Sequence, residues 1–205
     1  MHDIQTHSAP DIQCLADIAS AYAGYFTNAD AQRCGFSRAL REHHDNSGRF
    51  IRVRRGVYRL RETPASSRED VISAWLAVGR EAAVVSHESA LELHDLSDVI
   101  PSRVHLILPR CRRYLQTPVG ATLHTTTRPL DLAEVTVREG VRLTTPTRTI
   151  LDAAEAGAGP EQIERAVRQA LDRGMTTTTL LREQAHGRRS RVRALVDRAI
   201  YMAGR

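Results

Sequence analysis

The apolar positions Ile12, Leu15, Ala16, Ala19, Tyr22 and Ala23 recur at helical spacing, which predicts an amphipathic helix over roughly residues 10–24, ended by Gly24. Thr27-Asn28-Ala29-Asp30 reads as an N-cap with an acidic residue three positions on, opening a short second helix to Cys34. Gly35 breaks the chain and Ser37 caps a third helix. Phe36, Ala39, Leu40 and His43 fall on one face of it, Arg38, Arg41 and Asp45 on the other, and His44 near the border. After the turn Asn46-Ser47-Gly48 the period changes to two. Ile51 and Val53 alternate with Arg52 and Arg54, and Tyr58 and Leu60 alternate with Val57 and Arg59, which predicts a β-hairpin turning at Arg55-Gly56. Three helices followed by a hairpin make a winged helix-turn-helix, assigned to residues 1–63.

A polar stretch, RETPASSRED, links this to the remainder. Ser67 with Asp70 opens a helix that turns Val71, Ile72, Trp75 and Leu76 inward, and Ala82–Val85 reads as a short buried strand. SHESALELHDL forms a helix of about two turns from an N-cap at Ser86. RVHLILP, VGATLHTTT, EVTV and GVRLTT read as strands, the last two paired around Arg138-Glu139-Gly140. Pro146 and Pro160 each stand first in a helix that ends near a glycine, Gly157 and Gly174. Two more helices follow, the last presenting Val192, Leu195, Val196, Ala199 and Ile200 inward. The expected fold class is α+β: the winged helix, then a mixed α+β domain over residues 64–205 that ends in a run of helices.

Charge sharpens the reading of the first domain. The chain of 205 residues carries a net +5, unevenly spread. Residues 33–61 hold nine Arg against Glu42 and Asp45, a local +7. Such a concentration is an electrostatic footprint for a polyanion. On a winged helix it places Ser37, Arg38, Arg41 and His44 toward the major groove, where Arg reads guanine O6 and N7. Arg52, Arg54, Arg55 and Gly56 at the hairpin tip would reach phosphates or the minor groove. A solvated basic face and a protein-interaction winged helix are the competing readings.

All 29 basic residues are Arg. The absence of Lys excludes a phosphate loop of the GK[ST] kind, a Schiff-base enzyme, a conventional protein kinase and any lysine-dependent nuclease. Cys14, Cys34 and Cys111 are odd in number and far apart, which argues against a disulfide framework and for a cytoplasmic protein. The N-terminal MHDIQTHSAPDIQ lacks the basic head and apolar stretch of a secretory signal, and no apolar run is long enough for a membrane span. Ser86, His87, Glu88, His94 and Asp95 cluster in sequence. Yet no Gly-x-Ser-x-Gly elbow surrounds Ser86, and no third ligand at an established spacing accompanies His87 and His94. No catalytic residue, metal or cofactor is therefore expected. His105 and His124 read as core or edge residues of strands.

GFSRALREH…GRFIRVRRGVYRL, VVSHESALELHDLSDVIPSRVHLILP and GVRLTTPTRTILDAA together resemble the AbiEi-type antitoxins of bacterial abortive-infection systems, over about residues 12–156. The specific part is Ser86-His87 through Ala90-Leu91 to Leu96-Ser97, with Ser89 inside it, and Thr144-Thr145-Pro146 with Arg148, Thr149 and Asp152. At His43–Asn46 the chain departs from the usual pattern, which implies a longer helix end and turn. The resemblance implies an antitoxin that neutralises a nucleotidyltransferase toxin encoded beside it. It further implies that the N-terminal domain represses the shared operon by binding inverted repeats in double-stranded DNA, while the second domain supplies the antitoxic function. The alternatives are a stand-alone winged-helix regulator with a sensor domain, and an enzyme that inactivates the toxin covalently, such as an atypical kinase. A monomer or weak dimer is expected. Arg148 and Asp152 stand four apart on one helix face, the spacing of a structural ion pair.

Overall fold

The computed structural model describes residues 9–98, 100–127 and 130–204; residues 1–8, part of the N-terminal stretch read as lacking a secretory signal, lie outside them. The chain divides into two compact units, one of residues 1–80 with 139–141 and one of residues 81–138 and 142–205.

In the first unit Asp11 caps α1 (Ile12–Ser20) by accepting from the Gln13 and Cys14 amides. The chain turns into β1 (Tyr25–Thr27), and Thr27 and Asp30 close a reciprocal capping box on α2 (Asn28–Arg33). Ser37 accepts from the Leu40 amide at the start of α3 (Arg38–Asn46). The hairpin β2 (Phe50–Arg54) and β3 (Val57–Leu60) follows, and β1 pairs antiparallel with β3, giving the order β1-β3-β2. Leu15, Ala19, Phe26, Phe36 and Phe50 form the buried centre. This is a winged helix with a third strand that the hairpin pattern did not predict.

Three expectations need correction. The inward face of α3 is Phe36, Leu40 and His44 rather than Phe36, Ala39, Leu40 and His43; Ala39 and His43 are exposed, and the His44 ring packs on Phe36 and Phe50. Cys14 and Cys34 are joined in a disulfide, and Cys111 is free. The pairing follows from packing: the Asp11 amide donates to the Cys34 carbonyl, which sets the start of α1 against the end of α2. Finally, α4 (Glu69–Val78), read as the opening of the second domain, packs within the first unit. Val71, Ile72, Trp75, Leu76 and Val78 are buried, the Trp75 ring lies 5.8 Å from Tyr22, and Tyr25 Oη donates to Glu69 at 2.7 Å. Just beyond α4, Arg80 holds the buried Asp30 carboxylate through two hydrogen bonds of 2.8 and 3.0 Å.

The second unit is built on a five-stranded sheet, β6-β5-β4-β8-β7. Its strands are β4 (Val84–Val85), β5 (Val104–Pro109), β6 (Ala121–Thr126), β7 (Val135–Arg138) and β8 (Val141–Thr144). The sheet is mixed: β4 runs antiparallel to β5 and parallel to β8, while β5 and β6 are parallel. Between β4 and β5 lies α5 (His87–Leu93). After the sheet come α6 (Pro146–Ala156), α7 (Pro160–Asp172), α8 (Thr178–Ala185) and α9 (Ser190–Ala203). Ile150, Leu151, Ile163, Val167, Leu181, Val192 and Val196 give these helices a common core with Leu91 and Leu96. The α+β class, and the helical run that ends it, stand as read from the sequence.

Candidate functional site

In the first unit the sequence-predicted DNA-facing residues fall into two groups. Ser37 is used as the cap of α3, and Arg38 on the first turn is 86% exposed and paired with Glu42 at 2.9 Å. Arg52 and Arg55 are exposed on the hairpin, and Gly56 turns it with φ +76, a conformation that favours glycine. The others are engaged by the protein. The Arg41 guanidinium donates to the Phe36 carbonyl at 2.8 Å, and Arg54 donates to Ser73 Oγ and lies 4.0 Å from Asp70. The ring of His44 faces inward, where burial lowers its pKa. His43 and Arg49, which the site assignment omitted, are exposed beside Arg38 and Arg52 in sequence. The signal that finds His43 is the phase of α3: once Phe36 and Leu40 fix the inward stripe, position 44 continues it and 43 leaves it.

The second unit gathers the motif residues differently. Position 86 is the N-cap of α5, yet the Ser86 hydroxyl makes no capping bond and lies instead 2.8 Å from His87 Nδ1. His87 stands at the strand-to-helix elbow with φ +53. A non-glycine residue there carries a cost of about 1–2 kcal/mol, so the surrounding packing must hold it. Ser89 accepts from the His105 amide at 2.9 Å and so ties α5 to β5. His94 does not join His87; it is buried and donates from Nε2 to the Thr144 carbonyl at 2.8 Å.

What joins His87 comes from the strands. In the β5–β6 register His105 lies opposite Thr122. His124, two residues on, therefore shares the face of His105. His105 Nδ1 and His124 Nε2 are 3.1 Å apart, and the His124 ring stacks on His87 with centroids at 3.7 Å. Nitrogens of the three rings lie within 4.8 Å of one another. Burial, reinforced by the neighbouring His124 and His105, pushes the His87 pKa down to about 2. His105 and His124 are lowered as well, first by burial. All three imidazoles are thus neutral at pH 7. Sequence reasoning missed this cluster because its members come from one helix start and two strands.

Arg148 and Asp152 form the expected i,i+4 pair, with Arg148 Nε 2.8 Å from both carboxylate oxygens. The pair is part of a larger network. Arg148 also donates to Glu134 at 2.9 Å, and Arg188 donates to Asp152 at 2.6 Å. Although burial opposes its charge, Asp152 and Glu134 raise the Arg148 pKa. Arg148, Arg188 and Arg189 line a cleft of about 840 Å³ with Thr126, Glu134 and Glu155. Each of these guanidiniums has a carboxylate partner, Arg189 pairing with Glu155 at 3.1 Å, so the cleft offers little uncompensated positive charge to a phosphate.

Residues 14–61 match the family model described as "Transcriptional regulator, AbiEi antitoxin". The resemblance stated from the sequence therefore holds for this segment, and the first unit is of winged-helix type. No curated protein sequence matches the chain. A similar solved structure is the crystal structure of the RV2827C protein from Mycobacterium tuberculosis, with a TM-score of 0.64 and 13% identity. It covers 93% of this chain and 75% of that one, a likeness of fold. Among the described residues no helix is long and apolar enough to cross a membrane.

Proposed function

We propose that this protein is an antitoxin that neutralises a nucleotidyltransferase toxin and represses its own operon by binding double-stranded DNA through the winged helix. The observation that carries the reading is the match of residues 14–61 to an antitoxin and transcriptional-regulator family, a segment that contains the +7 stretch of residues 33–61. In that segment Arg38 on α3 is the base-reading candidate, and Arg52 and Arg55 on the hairpin supply phosphate contacts. The second unit, residues 81–138 and 142–205, carries neutralisation. Titrating the full chain against its own promoter DNA and against random DNA of equal length tests the reading. The expected result is tighter promoter binding, from which Arg38→Ala removes about 1–3 kcal/mol while changing random-DNA binding much less. Equal affinity of the unsubstituted protein for both DNAs would contradict it.

A further inference from the structure

The histidine cluster of the second unit has the composition and spacing of a metal centre. His87 is oriented by a partner on the outer side of the ring. Ser86 Oγ lies 2.8 Å from His87 Nδ1, which leaves Nε2 for a ligand. In His105 it is Nδ1 that is turned toward His124, while Nε2 lies 3.7 Å from Glu88. A hydrogen-bonding partner of this kind fixes the ring of a metal-binding histidine and raises its basicity. Two imidazole nitrogens at 2.0–2.1 Å from one zinc ion in tetrahedral array stand about 3.3 Å apart. The 3.1 Å between His105 Nδ1 and His124 Nε2 is already close to that separation. The backbone adds a separate observation. His87 is held in the left-handed region at the β4–α5 elbow and is 6% exposed, so its ring is fixed at the cluster.

We infer that His87, His105 and His124 form a three-histidine site for a divalent first-row transition ion, zinc in the first instance, with a fourth position left for water or another ligand; because an imidazole binds a metal in its own plane, the His87 ring turns out of its 3.7 Å stack with His124 when the ion enters. Three imidazoles suit zinc better than magnesium or calcium, which take oxygen ligands. The site goes beyond the antitoxin reading and does not depend on it.

The test uses the untagged full chain, stripped with chelator and titrated with Zn2+ against a chromogenic competitor, and with Co2+ followed by visible absorption. The expected result is one Zn2+ per chain and the intense d–d bands of four- or five-coordinate Co2+. His105→Asn and His124→Asn should each weaken Zn2+ binding by at least about tenfold, with the far-ultraviolet circular dichroism unchanged. A His43→Ala/His44→Ala protein, altered in the other unit, should bind as the native chain does. Failure of the native chain to bind Zn2+, or a Co2+ spectrum like that of the aqueous ion, would overturn the inference. So would binding that survives in a folded His105→Asn/His124→Asn protein. If these variants fail to fold, X-ray absorption on the zinc-loaded native chain decides: three imidazole nitrogens support the site, and fewer contradict it.

Discussion

His87 shows how one residue is set by three demands at once. Its backbone is left-handed, its ring stacks on His124, and its Nδ1 lies at the Ser86 hydroxyl. Burial keeps the ring neutral, with a pKa pushed down to about 2. The unfolded chain, with an ordinary histidine near 6.5, takes up a proton first as the pH falls. Stability from this group is therefore whole above about pH 6.5 and is lost on acidification, by roughly 1.4 kcal/mol per pH unit until its own pKa is reached. Between pH 6.5 and pH 5 the loss from His87 alone is about 2 kcal/mol. Asn tolerates the left-handed region and does not titrate, so His87→Asn should flatten that part of the pH dependence. Urea midpoints of chelator-treated protein at pH 7.5 and pH 5 measure it; an unchanged slope in the variant would show that His87 is not the group responsible.

At the scale of the element, the arginines of the hairpin separate by where their side chains go. Arg52 and Arg55 are exposed, whereas Arg54 is held by Ser73 and Asp70. Arg52→Ala/Arg55→Ala should weaken binding to all DNA and lower the salt slope by about one for each phosphate no longer neutralised. Arg54→Ala should leave that slope alone and lower the thermal stability of the first unit. Gel shifts across a salt series, with melting curves beside them, distinguish the two. The hairpin is legible in the sequence because Ile51 and Val53 alternate with Arg52 and Arg54, and Tyr58 and Leu60 with Val57 and Arg59, on the two sides of a glycine turn, although a register shift between Arg52 and Arg54 interrupts the pairing. The strand β1 is not, since three residues are too few to show a period. The face of α3 shifts by one position between sequence and structure because Ala39 and His43 complete a helical stripe as plausibly as His44 does, and only the aromatic pair Phe36 and Phe50 selects the latter. The helices begun by Pro146 and Pro160 are legible because their first residues and closing turns are local signals.

For the whole molecule, what sequence leaves open is what long-range pairing decides. The polar stretch at residues 61–70 looks like a domain boundary, but the compact unit continues to Arg80, because the apolar face of α4 and the Arg80–Asp30 pair belong with the winged helix. The Cys14–Cys34 bond and the histidine cluster likewise join positions that sequence spacing keeps apart. By contrast, the concentration of Arg over residues 33–61 is plain in the chain and coincides with the family match. The central claim is a division of labour, DNA binding by the first unit and neutralisation by the second. The most direct measurement uses the full-length Arg38→Ala/Arg52→Ala/Arg55→Ala protein. It is co-expressed with the proposed nucleotidyltransferase toxin and scored for both promoter repression and growth. The account predicts that repression is lost while growth is rescued as well as by the unsubstituted chain. Loss of rescue in step with repression, at equal protein levels, would contradict it.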